Sequence, residues 1–429
     1  MIRGSFLLGC LAVANCTSAG AVSSDIADAS AAIVLINGHL KHGLLEDDDA
    51  TGRWIGSGFL IDREKGWIVT NAHVSGYGPT DLRVRFENQK KFNRAERVFI
   101  DSKYDVAIIR VDPGLVKDRV PLSLDCDYEF NRGDKIFSIG HPNAQAFTFS
   151  TGVLSGQKDF HVEGSYFTTD TVVEPGSSGG PVVLRDTGKV IGMMTAGFNS
   201  SDLGFLTKSK DICRITELMF AGKNPARPRF KFQTMVVDEE VSNLVGAVFH
   251  PSIKLEPGDE ILSWNGKGWD PDIDGDLADA MRGYEADRVN LSVLRSGLKE
   301  LVEIPVSQGR SIHNKEWVFF TGLMITEDDK NDSSFFNGNI EPPILVIESI
   351  DSDFDDTSGI EFESGGEVFL VDSRSHLSLR ALYSHLEDVE ENEKVEVVAR
   401  IYSATPEAYS LWMQYSFSVE DLDCSWCDR

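Results

Sequence analysis

Glu174-Pro175-Gly176-Ser177-Ser178-Gly179-Gly180-Pro181 is the stretch whose reading decides the fold. Three glycines and two prolines around a pair of serines rule out a helix or a central strand, and leave a tight loop that brings main chain close around one hydroxyl. Upstream lie Thr70-Asn71-Ala72-His73 and Tyr104-Asp105-Val106-Ala107, so the chain offers a histidine, an aspartate and a serine in that order. A serine hydroxyl is a poor nucleophile at neutral pH. It needs a base, and the base needs a carboxylate to hold its tautomer and stabilise the imidazolium. Ser178 is therefore the expected nucleophile, His73 the general base and then acid, and Asp105 the orienter. The glycines serve a different need, because a tetrahedral intermediate carries a negative oxygen on which backbone N–H groups must converge. Gly176 and Ser178 are the expected oxyanion donors. Each fragment alone is compatible with an ordinary loop or strand end. All three together, each beside an apolar β-rich run (Gly66–Val69, Val106–Ile109, Pro181–Leu184), point to one catalytic set.

The order His, Asp, Ser resembles that of chymotrypsin-type peptidases. More narrowly, Gly56-Ser57-Gly58-Phe59, Thr70-Asn71-Ala72-His73-Val74, Asp105-Val106-Ala107-Ile108, Gly140-His141-Pro142, Gly176-Ser177-Ser178-Gly179-Gly180-Pro181 and Gly204-Phe205 resemble the HtrA/Deg serine proteases. The resemblance is strong through about residue 310 and weak beyond it. It implies a mainly β chain: a chymotrypsin-like double β-barrel, then one PDZ domain and a degenerate second PDZ-like domain. It implies an ATP-independent endopeptidase for unfolded or misfolded proteins, assembled as a homotrimer. Two departures flank the active loop, where Ser177 replaces the family's asparagine and Val173-Glu174-Pro175 its Ile-Asn-Pro. They keep open a second reading, a latent or inactive protease acting as a chaperone or peptide-binding scaffold. Thr195, Gly197 and Leu206 are expected in the specificity pocket, with no acidic residue there to select Lys or Arg, so small or medium aliphatic side chains fit best. Thr195 is also a candidate hydrogen-bond partner of Asp105. The triad needs no cofactor and no metal.

Composition limits the partners. The 429 residues carry a formal net charge of -27, which repels nucleic-acid phosphates and anionic lipid head groups. Arg3, the apolar Phe6–Ala14 and the small residues Ala19-Gly20-Ala21 read as a cleavable signal segment over residues 1–21, too short to span a bilayer, so an exported, periplasmic protein is expected. Leu7-Leu8-Gly9-Cys10 also spells a lipidation box, though with almost no apolar stretch before it. Among the later cysteines, Cys424-Ser425-Trp426-Cys427 has the CxxC spacing of redox and zinc sites but no second ligand pair nearby, which favours a local disulfide. Cys126 and Cys213 occupy places that chymotrypsin-type proteases often bridge; the alternative is two separately buried thiols.

The protease is expected over residues 22–221, followed by a Pro-containing linker at 222–228. Leu255–Gly266, Leu277–Met281 and Val289–Arg295 spell turn, hairpin, helix and strand, and resemble a PDZ domain over 229–310. Such domains bind a peptide as an added strand and catch its terminal carboxylate in a loop before the groove; the corresponding stretch here is Arg229–Gln233, which lacks the family's glycine. Residues 316–421 read as the degenerate second module and 422–429 as a tail carrying the CxxC pair. The acidic run Asp351–Asp356 lacks the glycine and closing glutamate of a calcium loop and reads as a solvated turn. The acidic turn Glu46–Gly52 is too short for a long inter-subunit arm.

Overall fold

The structure is a computed structural model that describes residues 29–40, 52–76, 80–160, 164–171, 173–197, 203–237, 240–248, 253–307, 316–320, 323–328, 344–350, 366–371, 378–389, 394–401, 411–419, 422–424 and 427. The expected signal segment, most of the acidic turn at 46–52 and the acidic run at 351–356 lie outside the described residues.

Two closed barrels of six antiparallel strands form the N-terminal half. The first is built from β1 (Ile33–Leu40), β2 (Gly52–Asp62), β3 (Trp67–Thr70), β4 (Thr80–Phe86), β5 (Asn93–Asp101) and β6 (Val106–Arg110). The second uses β7 (Lys135–Gly140), β8 (Thr148–Phe160), β9 (Gly164–Thr169), β10 (Pro181–Leu184), β11 (Val190–Gly197) and β12 (Gly204–Lys208). Strand alternation explains how they pack. Because successive side chains point to opposite faces, Leu60, Ile68 and Ile109 fill the first barrel while Phe59, Trp67, Val69 and Ile108 face outward. Outward here still means buried, since those residues meet Phe137, Ile139, Val183 and Met193 of the second barrel. Each such side chain contributes about 1.5–3 kcal/mol of burial free energy. The barrels are thereby pressed together along an apolar seam, and the residues at its rim are the catalytic candidates.

The helix Ser209–Phe220 closes the seam by burying Ile212, Cys213 and Ile215 on one face. A disulfide joins Cys213 to Cys126 in the connection between the barrels, with Cα atoms 5.7 Å apart. That connection is also held by the Ser209 hydroxyl, which donates to the Asp125 carbonyl at 2.6 Å.

A third sheet follows, with β13 (Phe232–Val237), β14 (Glu240–Val248), β15 (Glu260–Trp264), β17 (Arg288–Arg295) and β18 (Leu298–Pro305) in that order and β16 (Lys267–Gly268) paired to β15. The Asn265-Gly266 turn between β15 and β16 has φ of 46° and 80°, the positive values that a two-residue hairpin of the favoured twist requires. Leu277–Ala280 forms a single helical turn, capped by the Asp276 carboxylate accepting from Asp279 N at 2.9 Å. The fourth unit is a seven-stranded sheet in the order β24-β23-β22-β21-β20-β19-β25, from β19 (Trp317–Phe320), β20 (Leu323–Asp328), β21 (Ile344–Ile350), β22 (Gly366–Val371), β23 (Lys394–Ile401), β24 (Leu411–Ser418) and β25 (Asp423–Cys424). Here the expected tail proves to be part of the sheet. Cys424 pairs with Val318 and is buried in the same core as Leu323, Leu382 and Val395, with its sulfur bonded to Cys427. A strand contributes two ladder residues whether or not its sequence shows alternation, and two residues are too few to display a period.

The expected linker is pinned as well. Lys103, Arg227 and Arg282 form ion pairs with Asp101, Asp276 and Asp279 across the junction of the first barrel and the third unit. The Tyr104 hydroxyl adds a bond to Asp279 at 3.1 Å.

Candidate active site

Asp105 follows a turn in which Tyr104 N donates to the Asp101 carboxylate, and its own backbone takes φ of 51°, a left-handed value that aspartate tolerates better than most residues. This aims the carboxylate at His73. Its oxygens lie 2.9 and 3.0 Å from His73 Nδ1, and His73 N donates to Oδ1 at 3.1 Å. Asn71 Nδ2 donates to the Asp105 carbonyl at 3.0 Å. The Thr195 hydroxyl, from the second barrel, donates to Asp105 Oδ2, as its position suggested.

His73 sits in the short helical turn Ala72–Ser75. The turn's C-terminal end is held by Arg97, whose Nη1 donates to the carbonyls of Ser75 and Gly76. Burial pushes the Arg97 guanidinium down to about 9. The carbonyl end of a helical turn is its negative end, so a cation belongs there. Arg97 was not legible as a site residue. Its only signal is a charge inside the β run Ala95–Ile100, and strands commonly carry such charges on a solvent face.

Ser178 lies on the loop at the seam. Its hydroxyl donates to the Thr195 carbonyl at 3.0 Å, and its carbonyl accepts from Ser57 N at 2.8 Å. Thr195 thus links the two barrels at this point, its main-chain carbonyl accepting from Ser178 and its side-chain hydroxyl donating to the Asp105 carboxylate that holds His73.

The glycines of the loop are required by geometry. Gly176 has φ of 97°, and a Cβ there would meet the His141 carbonyl at 2.4 Å; at Gly179, with φ of 86°, it would meet the Ser57 carbonyl at 1.9 Å. The Pro175 carbonyl accepts from Asn143 N at 2.8 Å. In a trans peptide the N–H points opposite to the carbonyl, so the Gly176 N–H is turned away from Asn143, as an oxyanion donor needs. Ser177 is buried, with its N donating to the Glu174 carbonyl at 2.9 Å and its hydroxyl 3.4 Å from Glu174 N.

Of the expected pocket residues, Thr195 is buried beside Asp105, and Gly197 pairs with Gly204 at the end of the β11–β12 ladder. Leu206 is fully buried inside the second barrel with Ile136, Leu154 and Met194, so its direct neighbours are core side chains. Val173 borders the same region, since a Cβ on Gly204 would meet it at 2.4 Å. Three carboxylate or thiol groups of the kind that bind metals come together at Cys126, Cys213 and Glu217, but the two sulfurs there are already bonded to each other.

The trypsin-like peptidase domain family matches residues 56–193. Protease Do-like 1, chloroplastic, of Arabidopsis thaliana is 37% identical over 161 residues, covering 35% of this chain and 36% of that protein. A probable periplasmic serine endoprotease DegP-like of Chlamydia muridarum is 27% identical over 279 residues, covering 59% of this chain and 53% of that one. The chain therefore spans about half or less of the length of these curated relatives. Among solved structures, the HtrA-type protease AlgW with decapeptide superposes with a TM-score of 0.53 at 19% identity, over 67% of this chain and 98% of that one. Residues 56–193 thus match the trypsin-like peptidase domain family, and the chain is similar to the HtrA and DegP serine proteases.

Proposed function

We propose that the chain is an exported, ATP-independent serine endopeptidase that cleaves unfolded or misfolded proteins. The observation that carries this reading is the convergence at the seam of the two barrels, where Asp105 holds His73 and Thr195 bonds both Asp105, through its hydroxyl, and Ser178, through its carbonyl. In the reaction the Ser178 hydroxyl leaves the Thr195 carbonyl, gives its proton to His73 and attacks the scissile carbonyl. Asp105 holds the Nδ1 proton of His73 and stabilises the imidazolium. The N–H groups of Gly176 and Ser178 receive the oxyanion, His73 protonates the leaving amine, and water then releases the acyl group by the reverse sequence.

Val173, Thr195 and Gly197, the expected pocket residues that stay near the site, include no acidic residue, which supports small or medium aliphatic side chains before the cleaved bond; Leu206, packed in the second-barrel core, does not line it. Export is supported by the N-terminal sequence and by the periplasmic designation of the Chlamydia relative. Among the described residues no helix is long and apolar enough to cross a membrane. Residues 229–310 and 316–421 are read as a PDZ domain and a degenerate one, and the assembly as a homotrimer; the resemblance supports both. Incubation of the mature chain with casein tests the central claim. Ser178→Ala should abolish cleavage, and His73→Ala should fall to the same level, because triad members act as a unit. Residual cleavage near the wild-type rate in Ser178→Ala would sink the assignment, and an inactive wild-type chain that still suppresses aggregation would favour the scaffold reading.

A further inference from the structure

Ser57 and His141 belong to no expected catalytic set, yet both are fully buried beside the active loop. Ser57 reaches both oxyanion-donor residues at once: its hydroxyl donates to the Gly176 carbonyl at 2.7 Å, and its N–H to the Ser178 carbonyl at 2.8 Å. Its own carbonyl lies where a Cβ on Gly179 would have to go. One residue of the first barrel is thus the template on which the loop from Gly176 to Gly179 is laid.

The Ser57 hydroxyl has a single proton, and a carbonyl can only accept. That proton is committed to Gly176, so toward His141, whose Nδ1 is 2.8 Å away, the Ser57 oxygen must accept. The imidazole therefore carries its proton on Nδ1. His141 Nε2 is buried with no hydrogen-bond partner among the described residues, which fits a ring whose proton is on the other nitrogen. Burial, with Arg85 nearby, pushes the His141 imidazole down to about 3, so the ring is neutral at working pH. Phe147 packs edge-on at 4.7 Å and fixes its plane.

Resting on the serine-protease reading above, we propose that His141 and Ser57 are positioning residues for the oxyanion hole: a relay from His141 Nδ1–H to the Ser57 hydroxyl to the Gly176 carbonyl holds that carbonyl outward. Asn143 N does the same for the Pro175 carbonyl, so the two peptides flanking the Gly176 Cα, the first of which carries its N–H, are both anchored. A side chain that merely filled space would require neither hydrogen-bond partner nor a particular tautomer.

Full-length Ser57→Ala, His141→Gln and His141→Asn test the relay on a short aliphatic peptide substrate and a matching peptide boronate. Loss of one oxyanion donor typically costs about 100- to 1000-fold in kcat. A misaligned donor should cost less: roughly 10- to 100-fold for Ser57→Ala and His141→Gln, with KM little changed and the boronate Ki rising in proportion. Asparagine can place an N–H near the position of Nδ1, so His141→Asn should retain activity within about threefold. Equal activity in all three variants would overturn the relay, as would a loss confined to KM. Independently of turnover, nitrogen-15 NMR of histidine-labelled Ser178→Ala should show a His141 ring protonated on Nδ1 from pH 5 to 8. An Nε2–H tautomer would overturn the relay even if the chain proves a serine protease. Failure of a fluorophosphonate to label wild-type Ser178, with the Nδ1–H tautomer present, would instead count against the protease reading. Should Ser57→Ala not fold, the glutamine and asparagine pair at His141 gives the same comparison.

Discussion

Asp105 is the residue on which the two barrels converge. Its left-handed backbone costs conformational free energy, and such a residue persists only where its surroundings over-determine it. Asn71, His73 and Thr195 supply those surroundings. Thr195→Val keeps the shape and removes only the hydroxyl on Asp105 Oδ2. A hydrogen bond to a charged group contributes about 1.5–3 kcal/mol. Active-site titration and steady-state kinetics on a short peptide should therefore show kcat falling by roughly 10- to 100-fold, with KM nearly constant. A change in KM alone would mean that Thr195 acts in the pocket and not on the aspartate. At this scale part of the geometry was legible: three residue types, each with diagnostic neighbours, marked His73, Asp105 and Ser178 as candidates, and Thr195 was anticipated as a partner of Asp105. The roles of Ser57, His141 and Arg97 were not legible, because a buried hydrogen bond depends on which strands lie side by side.

The helix Ser209–Phe220 shows how an element carries such information. Its sequence predicts an apolar face, and that face closes the seam between the barrels. The Cys126–Cys213 bridge joins it to the inter-barrel connection across 87 residues of sequence. Reduction, or Cys126→Ser paired with Cys213→Ser, should cost about 2–4 kcal/mol and lower the thermal midpoint. A calorimetric scan with and without reductant checks this, and an unchanged midpoint would show the bridge to be dispensable. Asp211, in the first turn of the same helix, gives a pH signature. Burial raises its carboxyl to about 6 from an unfolded value of 3.8. The folded state then binds the proton more tightly, so this group's contribution is present at low pH and is lost as pH rises from about 4 to about 6. Denaturant titrations of Asp211→Asn should be flatter across that window than those of the wild type, by on the order of 1–2 kcal/mol, given that the residue is only partly shielded from solvent.

At the scale of the molecule, the junction between the first barrel and the third unit brings Asp101, Asp276 and Asp279 against Lys103, Arg227 and Arg282. Burial alone would raise the Asp279 carboxyl, but the guanidinium groups of Arg227 and Arg282 and the Lys103 ammonium outweigh it and hold it well below the usual carboxylate range. Such a group contributes stability above its unfolded value that is lost on acidification. The Asp279 side chain is fully buried, so Asp279→Ala leaves three cations with one fewer counter-charge. Removing one member of a buried ionic cluster typically costs about 3–5 kcal/mol. Limited proteolysis should then cut the segment 222–228 faster than in the wild type, and equal cutting rates would show that the apolar contacts alone hold the units together.

The sequence by itself supplied the candidate catalytic residues and the β runs that build the barrels, since residue type and strand composition are written in consecutive residues, and the resemblance of its motifs to a known family implied the double-barrel class. It also placed the Asn265-Gly266 turn, because positive φ at two positions selects those residue types. The tertiary structure alone decided that residues 423–424 complete the fourth sheet, that the Pro-containing segment after the helix is tied down by Arg227, and that Ser57 reaches both Gly176 and Ser178. Each of these is a contact between segments far apart in the chain. Its free energy depends on the burial and alignment of both partners, and neither is encoded in the residues on one side of the contact.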